Sequence, residues 1–305
     1  MMSQKKFYEE LVKLVTERLP DFEVTLKEVP KMNGTKYVGI QIMEKGCCIA
    51  PIIYIERYFE HYQKGDALKE IANEIVELYF HGIESKREVQ VSSIVDWEEV
   101  KGSIYIRVMS KKDNVGYPKD AVEEEIMDMK KVLYVFLSEE EKEICSYALS
   151  RKTVDGWNIS IEELWEKARE NTERLFPLQI QSISEVMARM GVNLPCNELG
   201  EEEFMYIAGN QKGINGATVF LYKNFWEKVC DKSGMDCDLY MLPSSCHEVI
   251  IIPDSPDKTP EALRQMVCDV NSNHVLQEDR LTNSVYHYSR ENKTLEMVAG
   301  GEEKQ

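Results

Sequence analysis

Residues 238–254 read DLYMLPSSCHEVIIIPD, and this stretch decides the fold. Leu239–Leu242 and Val249–Ile252 are apolar on successive residues. Each therefore reads as a strand covered on both faces, central in its sheet. The short polar segment between them makes the pair a hairpin and places Ser244, Ser245, Cys246, His247 and Glu248 at its mouth. Functional side chains often sit on loops held by such a rigid scaffold.

The pattern extends outward from this hairpin. On the C-terminal side, Thr259-Pro260 opens a helix over Glu261–Val270, because proline is tolerated at a first helical position. Ser284–Ser289 and Thr294–Val298 read as a further hairpin around Arg290–Lys293. On the N-terminal side the spacing predicts a strand over Phe204–Ala208 and a Gly/Asn loop over 209–216. An apolar run, Thr218–Tyr222, is ambiguous between strand and helical turn, and a helix capped by Asn224 covers Phe225–Lys232. Further back stand a helix over Ile161–Glu173, opened by Ser160-x-x-Glu163, and a short helix over Ser182–Met190. Lys131–Leu137 and Ile144–Leu149 flank an acidic turn as a hairpin. Trp97, Val100, Ile104 and Val108 fall at helical spacing, with Gly102 as a weak point.

The first 88 residues carry a different order. The apolar stripe Phe7, Leu11, Leu14, Val15 and Leu19 makes an amphipathic helix ended by Pro20. Phe22–Leu26 and Tyr37–Met43 read as strands around the turn Asn33-Gly34, and a third short strand is expected near Cys48–Ala50. Helices follow over Ile52–Tyr62 and Ala67–Phe80, separated by Gly65-Asp66. The expected fold is α+β: a small helix, three-strand, two-helix domain over 1–88, then a larger, mostly antiparallel sheet with packed helices over 89–300, and a frayed tail over 301–305.

Composition narrows the function classes. The 305 residues are 43% hydrophobic and 30% charged, as in an ordinary globular chain. The net charge of −17, from 37 basic and 54 acidic residues, opposes sequence-independent nucleic-acid binding, which needs cations on phosphates. It also opposes adsorption to anionic membranes. The N-terminus MMSQKKFYEELVKLV has no apolar h-region, and no run approaches the ~18 apolar residues of a membrane span. Eight cysteines with no C-x-x-C pair read as free thiols in a reducing cytosol. No metal and no cofactor are expected, because no complete ligand set or nucleotide fingerprint occurs.

Chemistry is sought in two loops. Cys246-His247 invites a thiolate reading, but neighbours in an extended segment project to opposite sides, and a dyad needs both groups within hydrogen-bond reach. No G-x-S-x-G elbow surrounds either serine. The remaining catalytic candidates are His247 as general base, with Glu248 and Ser245. The loop Gly209–Gly216 (GNQKGING) fits neither phosphate-binding glycine pattern. Its Asn210, Lys212 and Asn215 are ligand-binding candidates, together with Ser244. The leading expectation is a non-enzymatic cytosolic protein that binds a partner protein or a small ligand. One alternative is a hydrolase or transferase using 243–248. Another is an acidic nucleic-acid mimic.

Several blocks together resemble a known family. They are IAPIIYIERYFEHYQKGDALKEIANEIVELY (49–79), NTERLFP (171–177), MYIAGNQKGINGATVFLY (205–222) and DLYMLPSSCHEVIIIPDS (238–255). The chain is similar to an uncharacterised bacterial family, number 5688 among the domains of unknown function. The resemblance implies a cytosolic protein of about this length and brings no activity, substrate or cofactor. Pro243, Ser244, Ser245, His247 and Glu248 fit the family's pattern. At Cys246 that pattern has an aliphatic residue.

Overall fold

The computed structural model describes residues 2–45, 50, 52–84, 96–111, 119–140, 143–191 and 205–300. They form an α+β protein that divides into two units on either side of Asp96. The expected boundary at 88/89, most of the expected third strand and the tail 301–305 lie outside the described residues.

The first unit runs α1 (Gln4–Arg18), β1 (Phe22–Pro30), β2 (Lys36–Glu44), β3 (Ile52–Tyr54), α2 (Glu56–Lys64) and α3 (Leu68–Glu84). Its strands form an antiparallel meander in the order β1-β2-β3. Asn33 and Gly34 supply the turn between β1 and β2 at positive φ, 55° and 76°. Phe7, Leu11 and Val15 of α1 share one core with Ile40 and Ile42 of β2 and Ile71 and Ile75 of α3. The helical pattern expected from Ile52 begins only at Glu56. Ile52–Tyr54 pair instead with Gln41–Gly39. A Cβ on Gly39 would stand 2.3 Å from Ile52 Cγ2, so the bare glycine lets β3 close onto β2.

The second unit begins with α4 (Trp97–Val100), β4 (Ile104–Ser110), β5 (Glu123–Ile126), β6 (Met129–Glu140), β7 (Glu143–Ala148) and α5 (Arg151–Val154). It continues through α6 (Ile161–Leu175), β8 (Leu178–Ser182), α7 (Ile183–Arg189), β9 (Tyr206–Asn210), a 3-10 turn (Gly216–Leu221) and α8 (Phe225–Ser233). It ends with β10 (Leu239–Leu242), β11 (Glu248–Pro253), α9 (Pro260–Asn273), β12 (Val285–Ser289) and β13 (Thr294–Ala299). Six strands pair antiparallel in the order β13-β12-β10-β11-β9-β8. The strands of the opening stretch, β10 and β11, are the two middle ones, and all of β10 is buried. A second antiparallel sheet places β4 on one side of the long β6, with β5 and β7 on the other.

Two readings of this unit change. The helical spacing from Trp97 holds for one turn only. After Gly102 the run IYIRVMS is β4, every residue buried except Arg107, because its β-branched and aromatic residues suit a strand covered on both faces. Thr218–Tyr222, left between strand and helix, lies in the 3-10 turn and its end. Asn224 stands at the N-cap of α8, but at φ 58° and without a side-chain cap bond.

β4 is an edge strand, and its free edge is closed by side chains. Thr172 of α6 accepts the Ile106 N–H at 2.9 Å, and Thr218 accepts the Val108 N–H at 3.1 Å. Asn171 donates to the Ile104 carbonyl at 3.0 Å and to the Lys101 carbonyl at 2.7 Å. Unpaired edge groups that are buried cost free energy and, when exposed, recruit other strands. The two sheets are also tied at Asp128, which joins β5 to β6. Its carboxylate accepts from Thr282 at 2.5 Å, Ser284 at 2.6 Å and the Tyr286 hydroxyl. No helix among the described residues is long and apolar enough to cross a membrane.

Candidate functional site

The chain leaves β10 at Leu242 and bends through Pro243–His247 before β11. Its backbone is held from two sides. The Cys246 N–H donates to the Asp279 carbonyl at 2.8 Å, and the Leu281 N–H donates to the Ser244 carbonyl at 2.9 Å. From the 3-10 turn, the Ala217 N–H donates to the Cys246 carbonyl at 3.1 Å. A Cβ on Gly216 would stand 2.2 Å from the His247 carbonyl oxygen. Only glycine permits that approach.

Within this frame Ser244 and Ser245 are buried. The Ser245 hydroxyl accepts the His247 N–H at 3.0 Å and hydrogen-bonds the Glu248 carboxyl. Burial, foremost, holds the Glu248 carboxyl above its ordinary range. Asn210, also buried, bonds the Ile214 carbonyl and the Lys212 N–H at 2.8 and 3.0 Å, which shapes the 209–216 loop as an Asx turn. Asn215 stands at φ 53°, so its N–H reaches His247 Nδ1 at 3.4 Å. Its side-chain oxygen accepts from Arg107 at 2.9 Å. Lys212 does not join this group. Its ammonium pairs with Glu139 and lies 5.6 and 5.7 Å from the ring centres of Phe136 and Phe176. Asn171 is occupied with β4, as described above.

The bend changes the geometry at Cys246-His247. The segment is not extended there, so both side chains reach one carboxylate, that of Asp279. His247 Nε2 lies 3.1 Å from Asp279 Oδ1, and Cys246 Sγ lies 3.9 Å from the same oxygen. The expected obstacle to a Cys–His pair, projection to opposite sides, is absent. A different one replaces it. Cys246 is 2% exposed, and burial, reinforced by the Asp279 charge, pushes its thiol up to about 12. Arg107 acts in the opposite sense and more weakly.

His247 is half-buried, with both ring nitrogens engaged. Nδ1 accepts the Asn215 N–H, which places the ring proton on Nε2, facing Asp279. No nitrogen is left free to take a proton from a substrate. The nearby crevice lined by Tyr105, Thr172, Phe176, Asn215, Thr218 and Tyr222 is too narrow for a water molecule.

Asp279 and Arg107 were not among the expected site residues. Asp279 lies between the α9 and β12 patterns, and Arg107 interrupts an apolar strand. A single basic residue inside the otherwise apolar run 104–109 was the available signal. Its guanidinium stacks on Tyr134, 4.4 Å from the ring centre, and its Nε has no hydrogen-bond partner among the described residues.

The model of a family of unknown function, DUF5688, matches residues 4–290. No curated protein and no solved structure matches the chain. The chain belongs to that family.

Proposed function

We propose that this member of the DUF5688 family is a non-catalytic cytosolic protein that binds a partner protein or a small ligand, with the 243–248 bend as its candidate site. One observation carries the reading. The histidine best placed to act as a base has both ring nitrogens occupied, by the Asn215 N–H and by Asp279. Its neighbouring thiol is buried and held protonated. Neither a nucleophile nor a free base is therefore presented.

A second reading draws on the same 3.1 Å contact. A carboxylate that orients a histidine is the supporting half of a hydrolase dyad. Substrate would then have to displace the long Asn215 bond to free Nδ1. The two readings separate in one assay. Wild-type protein and His247→Ala are compared on activated carboxyl and phosphate esters. The binding reading expects no turnover above buffer from either protein. Turnover by the wild type that His247→Ala abolishes would replace it with the hydrolase reading.

A further inference from the structure

Cys246, His247 and Asp279 supply a thiol, an imidazole and a carboxylate whose donor atoms all lie within 4.8 Å of one another. We propose that these three residues bind one divalent cation of borderline softness, with zinc the best match to the donor set, and leave its fourth position to water. This goes beyond the binding reading above and stands on the geometry of the three side chains alone.

The distances support the assignment. Zinc holds thiolate sulfur at ~2.3 Å, imidazole nitrogen at ~2.0 Å and carboxylate oxygen at ~2.1 Å in tetrahedral geometry, which sets the donors ~3.4–3.6 Å apart. The observed separations are 3.1 Å from His247 Nε2 to Asp279 Oδ1 and 3.9 Å from Cys246 Sγ to the same oxygen. Shifts of a few tenths of an ångström bring both to the metal-bound values. In the metal-free protein the imidazole and the thiol converge on a single carboxylate oxygen. A cation placed among them replaces two protons facing one acceptor.

The scaffold favours the same arrangement. Cys246 and Asp279 are joined directly through their backbones, so two of the three ligands are held at fixed separation before any ion arrives. A soft thiolate with an imidazole and a carboxylate suits zinc better than magnesium or calcium, which take oxygen ligands. His247 and Asp279 are partly exposed, so an ion has a route in, while Cys246 closes the inner side.

Binding moves protons in a defined way. The Cys246 S–H bond breaks, the sulfur keeps the electron pair as the thiolate ligand, and one proton leaves to solvent. The imidazole proton moves from Nε2, which becomes the ligand atom, to Nδ1. There it faces the Asn215 N–H, and two donors cannot bond each other. The Asn215 contact is therefore released on metal binding, which links the ion to the 209–216 loop.

The test uses the full chain, purified under reducing conditions and freed of metal by chelation. Zinc is titrated by equilibrium dialysis, and cobalt(II) is added as a spectroscopic substitute. The proposal expects one zinc per chain and a cobalt–thiolate charge-transfer band that Cys246→Ser removes. Asp279→Asn and His247→Ala should each weaken binding at least by the ~10–100-fold that loss of an outer-shell partner costs. In the nitrogen-labelled protein, the Asn215 amide resonance should shift on adding zinc. Thermal melting of each variant checks that it folds, and Asp279→Asn keeps the test decisive if Cys246→Ser does not. A cobalt–thiolate band that persists in Cys246→Ser overturns the assignment. So does zinc uptake far below one per chain. Either failure, with no ester turnover, leaves the broader binding reading intact. Zinc-dependent turnover at this site would instead keep the metal and remove the non-catalytic reading.

Discussion

The two units solve the same problem with different means. In the first, the buried residues are hydrophobic throughout, from Phe7 to Tyr79. In the second, the buried set also includes Ser110, Asn171, Thr172, Asn210, Thr218, Ser244, Ser245, Asn271 and Ser284. Every buried polar residue described lies there. In the first unit the side chain that meets a strand amide, Glu56 at the Val38 N–H, is itself only partly buried, and the buried set is apolar. In the second, the free edge of β4 and the 209–216 and 243–248 loops leave amides and carbonyls that side chains reach. The difference teaches where sequence change is tolerated. The first unit is sensitive to volume, and the second is sensitive to individual hydrogen bonds.

The sharpest way to break this contrast uses two glycines. Gly216→Ala sets a Cβ against the His247 carbonyl at 2.2 Å and the Asn210 nitrogen at 2.8 Å. Backbone atoms on both sides cannot yield, and a loss of roughly 4 kcal/mol is expected, near the extreme for single substitutions. Gly39→Ala in the first unit meets the Ile52 methyl at 2.3 Å. That atom is a side-chain methyl one bond from Cβ, and the nearest backbone atom, the Ile53 carbonyl oxygen, stands farther off at 3.1 Å, so a small shift of β3 relieves the clash at an overpacking cost of ~1–3 kcal/mol. Urea denaturation followed in each unit measures both, and equal losses would dissolve the contrast.

Next come the hydroxyl bolts. Thr172→Val and Thr218→Val keep shape but strip the acceptors from the Ile106 and Val108 amides. Each should cost ~1–3 kcal/mol. Ile40→Leu in the first unit, a volume-conserving swap, should cost less than ~1.5 kcal/mol.

A smaller effect separates the units by pH. Burial pushes Tyr147 up to about 12 and raises Tyr222 and Tyr286 further, with Glu173 and Asp128 adding to the last two. A phenol whose folded pKa is raised contributes stability that is complete below ~10 and is lost as pH climbs past it. Burial raises Tyr8 and Tyr58 of the first unit too, but less, so alkaline unfolding should begin in the second unit, and Tyr222→Phe should flatten its onset. Tyrosinate absorbance followed against unfolding checks the order. The smallest effect is chemical. At pH 8 an alkylating agent should modify exposed Cys145 and spare Cys246, as read by mass spectrometry of the peptides.

Much of the fold was legible because apolar runs and alternation are local signals. Leu239–Leu242 and Val249–Ile252 read as central strands and are central. The helix, strand, helix order of the first unit also holds, with β3 and α2 displaced by a few residues. β4 was misread because Trp97, Val100, Ile104 and Val108 satisfy a helical period, and nothing local shows a change of period after Gly102. The polar loop 243–248 was legible as a cluster. Its geometry was not, because a bend, rather than an extended strand, turns Cys246 and His247 toward one carboxylate. Asp279, the residue that gives the cluster its form, is brought in by tertiary structure alone.

The hydroxyl caps on β4 have a use beyond stability. The Ile106 amide is held by a side chain of α6 and the Val108 amide by the 3-10 turn, so each exchanges its hydrogen with solvent only when its own cap lifts. Two amides one strand-turn apart thus serve as separate clocks for two different elements. If they exchange at the same rate, α6 and the 216–221 turn open as one cooperative body. If they differ, the faster amide names the element that moves first.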